Sequence, residues 1–338
     1  VETVLLGTTL VVLAGVTFLN GFHDASNAVA TAVRTRALTP YLALAVVAGF
    51  TALGALIFSS FATTLVGRFD TALPGHTSGL VILLVGFLVA GGWGLFTWWQ
   101  GQPSSSTHAV LAAISGAAMV AALASGFGLA EAAGLMLRQV LLPMLVTTLL
   151  APVLAYVIVV PLVWAVRHST PRRANEAGRS AQAIGTCAVA LSHGLQDGQR
   201  AVALSVVTLG TVGAQLPSGS VMWLQVGAAV LLAAGVLGGG WRITHTLSAR
   251  LVTLDPLRAG AANITSAGML FIGAFVLHAP ISSTQAVTAG LVGAGLNQSH
   301  STVNWATAMR IMSYWIITPL VCGLLAAVLY LAASPLLH

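Results

Sequence analysis

Apolar runs of roughly 20 residues, the length a helix needs to cross the hydrocarbon core of a bilayer, follow one another along almost the whole chain. Ten such stretches can be counted. In the first half they cover about 3–33, 41–62, 77–99, 103–125 and 135–166. In the second they cover about 181–212, 219–239, 259–278, 280–298 and 303–334. Charged residues are 6% of the 338, against about 25% in an average soluble domain. A soluble protein so poor in charge would have little surface to show to water. A helical bundle surrounded by a lipid bilayer needs just such an apolar exterior, so the expected class is an all-α polytopic membrane protein.

The charges that are present set orientation. All 13 basic residues are arginine, so the chain carries no Walker A phosphate loop of its own, which argues against an ATP-driven pump. With the N-terminus outside and the spans alternating, Arg34, Arg36, Arg167, Arg172, Arg173, Arg179, Arg242, Arg250, Arg258 and Arg310 fall inside. Only Arg68 and Arg138 fall outside, and Arg200 lies within the membrane. The positive-inside rule therefore places both termini outside and the central loop in the cytoplasm. The same rule explains a sequence pI near 10.4 without any nucleic-acid partner. The first apolar stretch has no basic leader region and reads as a span, not as a removable signal. Cys187 and Cys322 sit in apolar runs and read as packing residues.

The two halves repeat each other where they are most polar. Asn20-Gly-Phe-His-Asp24-Ala-Ser-Asn27-Ala-Val-Ala aligns with His193-Gly-Leu-Gln196-Asp197-Gly-Gln-Arg200-Ala-Val-Ala at an offset of 173. Pro103-Ser-Ser105-Ser106-Thr107-His108-Ala-Val aligns with Pro280-Ile-Ser282-Ser283-Thr284-Gln285-Ala-Val at an offset of 177. With an odd number of spans in each half, the second half enters from the opposite face. The expected organisation is two inverted-topology repeats of about five spans each, at 1–166 and 181–338, joined by a mobile cytoplasmic linker at 167–180. Such repeats hold their substrate near the midplane, between the halves. Whether 98–125 spans the membrane or forms a re-entrant hairpin stays open from the residues alone.

Each Pro-x-Ser-Ser-Thr segment reads as a helix start, with proline in the first turn and hydroxyl residues at the cap. Free backbone N–H groups and the positive dipole end make that a site for an anion. Two such starts, carrying Ser105, Ser106, Thr107, Ser282, Ser283 and Thr284, can grip one tetrahedral oxyanion, with Arg200 beside it. Asp24 and Asp197 are carboxylates at membrane depth, which mark function by default. Gly21 and Gly194, just before them, are expected to unwind their helices. Unwound carbonyls with Asp24, Asn27, Asp197 and Gln196 suit Na⁺, and a protonatable carboxylate suits H⁺ instead. Two carboxylates and an anion repel one another in a low-dielectric site, so anion binding calls for accompanying cations. His23, His108 and His193 sit inside or beside these motifs as possible proton or substrate contacts. His76, His168, His245, His300 and His338 lie in expected loops or tails and carry no assignment.

At these residues the chain resembles the inorganic phosphate transporter family, closest to the bacterial low-affinity phosphate permeases. The resemblance rests on Asn20–Thr31, on Ser192–Gln199, on the paired Pro-x-Ser-Ser-Thr segments and on Gly240-Trp241-Arg242 through Asp255-Pro256. It implies phosphate import driven by a Na⁺ or H⁺ gradient in the plasma membrane, with no other cofactor. It also implies broken or re-entrant helices at the motifs, a homodimer, and phosphate travelling bare or as a metal complex. Na⁺, if it is the coupling ion, would sit at Asp24, Asn27 and Asp197. The chain departs from the family's pattern at Gln196, Gln285 and Arg200. The alternatives are a symporter for sulfate or another oxyanion on the same scaffold and, from another class, a passive anion channel. There is no Ser/His/Asp elbow, metal cluster or nucleotide motif to suggest an enzyme.

Overall fold

Long uninterrupted helices are what a bilayer demands of an apolar chain, because every backbone N–H and C=O must be satisfied within its own segment. The computed structural model describes residues 2–57, 59–125, 128–298 and 303–336; His300 and His338 lie outside the described residues. The first half comprises α1 (Glu2–Arg34), α2 (Pro40–Ala55), α3 (Phe61–Asp70), α4 (His76–Trp99), α5 (Ser106–Ser125), α6 (Leu129–Leu135) and α7 (Leu142–Val166). A π-helical turn, Met136–Leu141, joins α6 and α7 into one rod. The second half comprises α8 (Pro171–Gly210), α9 (Ser220–Gly238), α10 (Trp241–His245), α11 (Pro256–Ile272), α12 (Ser283–Leu296) and α13 (Trp305–Ala333). Helix starts follow local chemistry: Thr170, Asp255 and Asn304 cap α8, α11 and α13, with Pro171 and Pro256 behind the first two. Among the described residues the only β pairing is an isolated bridge between Val252 and Val303.

Seven helices are long and apolar enough to cross a membrane by length and composition, against the ten stretches counted in the sequence. The expected span 41–62 divides into α2 and α3, and the second half has the short α10 between its expected second and third spans. Most of the expected linker is helical, since α8 begins at Pro171 and runs its exposed first turns through that interval.

The repeat appears in the packing as an exchange of partners. α1 packs on α9 as α8 packs on α2, and α5 packs on α13 as α12 packs on α7. Likewise α4 lies on α1 and α5, as α11 lies on α8 and α12. This pairing of elements is consistent with a two-fold relation between the halves. Large apolar side chains on α7 and α13 point outward, among them Leu149, Val153, Val157, Leu320, Leu324 and Val328. Polar side chains are gathered inside.

The first motif pair does not unwind. α1 runs unbroken through Gly21 and α8 through Gly194, which corrects the expectation of broken helices there. These glycines allow close approach instead. A Cβ on Gly21 would collide with the Leu232 backbone of α9, and one on Gly194 with the Thr51 backbone of α2. At the second motif pair the chain is broken, as expected. α4 and α5 form a helical hairpin around residues 100–105, and α11 and α12 form another around 278–282. Gly101 and His278, at equivalent positions, both turn the chain with positive φ, 66° and 46°. Each tip is tied by an arginine of the opposite half. Arg242 Nη1 donates to Trp99 O at 3.0 Å and Arg68 Nη1 to His278 O at 3.3 Å.

Candidate functional site

In α1, Asn20, Asp24 and Asn27 recur at helical spacing along one face, and in α8 His193, Asp197 and Arg200 recur at the same spacing. The two faces and the two hairpin tips meet. Asp24 and Asp197 are 3% and 4% exposed, a depth at which a carboxylate must be paired or hydrogen-bonded. Ligand atoms of Asp24, His193 and Asp197 lie within 4.8 Å of one another, so these three could hold a cation together.

The second hairpin serves Asp24. Ser283 Oγ donates to Asp24 Oδ2 at 2.6 Å, and Thr284 Oγ1 donates to Oδ1 at 3.1 Å. Asn27 Nδ2 donates to Thr284 Oγ1 at 3.2 Å, leaving Asn27 Oδ1 buried without a partner. The first hairpin serves the other half. Arg200 Nη1 donates to Thr107 Oγ1, while Arg200 Nη2 pairs with Asp197 Oδ1 at 2.7 Å. His193 Nε2 contacts Asp197 Oδ2 and lies 3.5 Å from Asp24 Oδ2. Asn20 Oδ1 accepts from Ser106 Oγ.

Ser105 and Ser282 are the N-caps of α5 and α12. Their hydroxyls accept from His108 N at 3.2 Å and Gln285 N at 3.3 Å. Pro103 and Pro280 stand before these caps, not inside the first turn. One turn on, His108 and Gln285 are fully buried with no hydrogen-bond partner for either ring nitrogen or either amide atom. His23 lies 3.4 Å from Asp24 through Nδ1 and 3.4 Å from Thr97 Oγ1 through Nε2. Gln196 is the one expected ion contact turned elsewhere. Its amide donates to Leu270 O at 2.8 Å and accepts from Ile281 N at 3.0 Å, holding the second hairpin in place.

Several polar residues around this centre had gone unassigned. Thr97 and Ser104 bond each other at 2.8 Å beneath His23. On the flank toward the α8 N-terminus, Gln182 Nε2 donates to Thr31 Oγ1 at 2.7 Å, and Asn263 Nδ2 to Thr186 Oγ1 at 3.4 Å. A buried amide in an apolar span is the signal that would have found Gln182 and Asn263. The opposite flank is filled by Leu13, Phe87, Ile114 and Leu204. Between α1, α4 and α5 a cavity of about 20 Å³, room for about one water, is lined mostly by apolar residues such as Val16, Ala90 and Val110, with Asn20, His23, Ser104 and Ser106 also on its wall.

Comparison with known proteins gives this geometry its context. The phosphate transporter family matches residues 20–326. The chain is 31% identical over 335 residues to the probable low-affinity inorganic phosphate transporter of Bacillus subtilis (strain 168), covering 97% of this chain and 98% of that one. It is 34% identical over 317 residues to the protein of the same description from Mycobacterium tuberculosis (strain ATCC 25618 / H37Rv), covering 93% and 74%. A solved structure described as "The sodium-dependent phosphate transporter" superposes with a TM-score of 0.83, covering 98% of this chain and 99% of that one. At 18% identity that likeness is one of fold. Matched over nearly its whole length, this chain is a membrane transporter, not an enzyme, and it belongs to the phosphate transporter family.

Proposed function

We propose that the protein is a secondary active symporter that imports inorganic phosphate, driven by a Na⁺ or H⁺ gradient through alternating access. One observation carries the reading: hydroxyl-tipped helix starts from opposite halves converge on two buried carboxylates. Ser106 donates to Asn20, Ser283 and Thr284 donate to Asp24, and Thr107 accepts from Arg200; all four hydroxyls can turn as donors to a tetrahedral oxyanion. Ser105 and Ser282 order the helix starts that face it. The unpartnered groups of His108 and Gln285 gain by meeting a ligand, since a buried unsatisfied polar group costs about 1–3 kcal/mol. Asp24 and Asn27 Oδ1 offer hard oxygens to the coupling cation, with Asp197 and His193 adjacent.

The two-fold exchange of helix partners supports an axis in the membrane plane, with residues 1–166 and 181–338 as inverted repeats and the hairpins re-entrant. Arginine placement supports a plasma-membrane orientation with both termini outside and residues 167–180 cytoplasmic. Alternating access then takes the form of the hairpins loosening in turn, each from its own side.

The test is phosphate uptake into sealed proteoliposomes under separately imposed Na⁺ and H⁺ gradients, with sulfate as competitor. The reading expects accumulation above equilibrium with one of the gradients and little effect of excess sulfate. Uptake that persists after all gradients are collapsed, and stops at equilibrium, would make the protein a channel. Block by sulfate but not by phosphate would change the substrate.

A further inference from the structure

The two half-sites differ at several aligned positions, Asn20/His193, His23/Gln196 and His108/Gln285 among them, but the difference that places a fixed cation beside one carboxylate is Asn27 against Arg200. Asn27 and Arg200 occupy equivalent places, three residues after their aspartates, and each donates to the threonine of the opposite hairpin, Thr284 or Thr107. The side chains of α1 and α12 that touch Asp24 are His23, Ser283 and Thr284, with His193 of α8 at 3.5 Å. The Asp24 carboxylate takes two hydroxyl donors, and the neighbouring Asn27 Oδ1, 98% of its residue buried, has no partner. An unpaired carbonyl oxygen beside a carboxylate is half of a cation's shell. Around Asp197 the corresponding charge is already supplied. The Arg200 guanidinium, 5% exposed, sits on the carboxylate at 2.7 Å and bridges it to the hairpin.

Resting on the symporter reading, we propose that Arg200 is a tethered counter-cation. It takes, in the second half-site, the place that a travelling cation takes beside Asp24 in the first. The transporter therefore moves one cation fewer per phosphate than it would with a neutral residue at position 200. The reasoning is electrostatic. Two carboxylates within 4.8 Å cannot both stay charged and unpaired in a dry site. A fixed guanidinium neutralises one permanently and never leaves with the substrate. Being part of the chain, it contributes no transported charge. What remains open to an ion is the Asp24–Asn27 half.

The measurement is the charge carried per phosphate. Reversal potentials are recorded in proteoliposomes with opposed phosphate gradients, at fixed pH, for the wild type, Arg200→Asn, Arg200→Lys and the double variant Asp197→Asn/Arg200→Asn. Arg200→Asn gives the second half-site the residue of the first. It is expected to gain one positive charge per phosphate and a steeper dependence on the coupling cation. At 100 mV, inside negative, the added charge raises the limiting accumulation ratio by about 50-fold. Arg200→Lys and the double variant, which leaves no lone carboxylate behind, are expected to keep the wild-type ratio.

An unchanged ratio in Arg200→Asn, with uptake intact, overturns the proposal. So does a shifted ratio in the double variant, which reports on the idea even where the single variant is unstable. Loss of equilibrium phosphate binding in Arg200→Lys, with cation binding kept, would make Arg200 a substrate ligand and would also overturn it. Failure of the symporter reading looks different, because there the wild type itself shows no coupling to any cation.

Discussion

Asp24 and Asp197 have nearly the same burial and aligned positions, each facing a hairpin of the opposite half, yet they are neutralised by different means. Asp24 is satisfied by hydroxyls, which can turn away and leave it free for an ion. Asp197 is satisfied by a guanidinium on its own helix and by His193 one turn away. One half-site is arranged to exchange partners and the other to keep them. Matching motifs in the two halves thus form unequal sites, and of the aligned differences Asn27 against Arg200 is the one that adds a fixed positive charge.

The largest effects expected come from testing this inequality directly. Asp24→Asn and Asp197→Asn should each reduce gradient-driven uptake about 100-fold or more, because each removes a charge to which a buried partner or ion responds with about 3–5 kcal/mol. Their stabilities should diverge. Asp197→Asn strands the buried Arg200 and should cost about 3–5 kcal/mol. Asp24→Asn leaves Ser283 and Thr284 an amide oxygen to donate to, and should cost no more than about 1.5 kcal/mol. Thermal unfolding in detergent separates the two. Equal losses of stability would mean that the half-sites are not satisfied differently.

A smaller effect is expected where the halves are alike. Gly21 and Gly194 let α1 approach α9, and α8 approach α2, at equivalent crossings. An added methyl group meets backbone at both, and backbone cannot turn aside as a side chain can. Gly21→Ala and Gly194→Ala should each destabilise by about 1–3 kcal/mol, by similar amounts. A marked difference between them would show that the crossings, unlike the half-sites, are not interchangeable.

The arginine ties at the hairpin tips come next. Each is a hydrogen bond from a guanidinium to a carbonyl, at 3.0 Å for Arg242 and 3.3 Å for Arg68. The exposed Arg242 also stands over the Trp98 ring at 5.3 Å. Loss of one such bond is worth about 0.5–1.5 kcal/mol, or roughly a 2- to 10-fold rise in the open population of that tip. With Cys187 and Cys322 replaced, Arg68→Ala should raise the thiol-labelling rate of Ala279→Cys and leave Gln100→Cys unchanged. Arg242→Ala should do the reverse. Equal effects at both tips would mean that the hairpins loosen together, not in turn.

Much of this arrangement was legible in the sequence, for identifiable reasons. The apolar runs dictated helices, and the internal matches brought Asp24, Asp197, Thr107 and Thr284 into one expected site, where the structure also gathers them. Three things were hidden. α3 and α10 are short helices, 10 and 5 residues, and a window set to membrane thickness absorbs or overlooks them. Gly21 and Gly194 looked like breaks because a glycine's use depends on what packs against it, which is a tertiary fact. Gln196 looked like an ion ligand by its position next to Asp197. Only the fold of the second hairpin shows that Leu270 O and Ile281 N engage both ends of its amide. Periodicity and repeats announce which residues share a face, but not which neighbour each side chain chooses.

The smallest effect expected lies farthest from the half-sites, in the first turns of α8. There Arg172 Nε pairs with Glu176 Oε1 at 3.0 Å, with side chains 89% and 62% exposed. By distance alone this ion pair resembles Arg200 with Asp197 at 2.7 Å. The difference is the medium. Water and salt screen the exposed pair, and two long side chains lose rotamer freedom in making it. No desolvated partner is left behind when one member is removed. Arg172→Ala should therefore change neither uptake nor thermal unfolding measurably in an assay that resolves about 1 kcal/mol. A loss approaching that of Asp197→Asn would show that this turn is covered by something in the working transporter. The contrast between the two ion pairs would then owe less to burial than the isolated chain suggests.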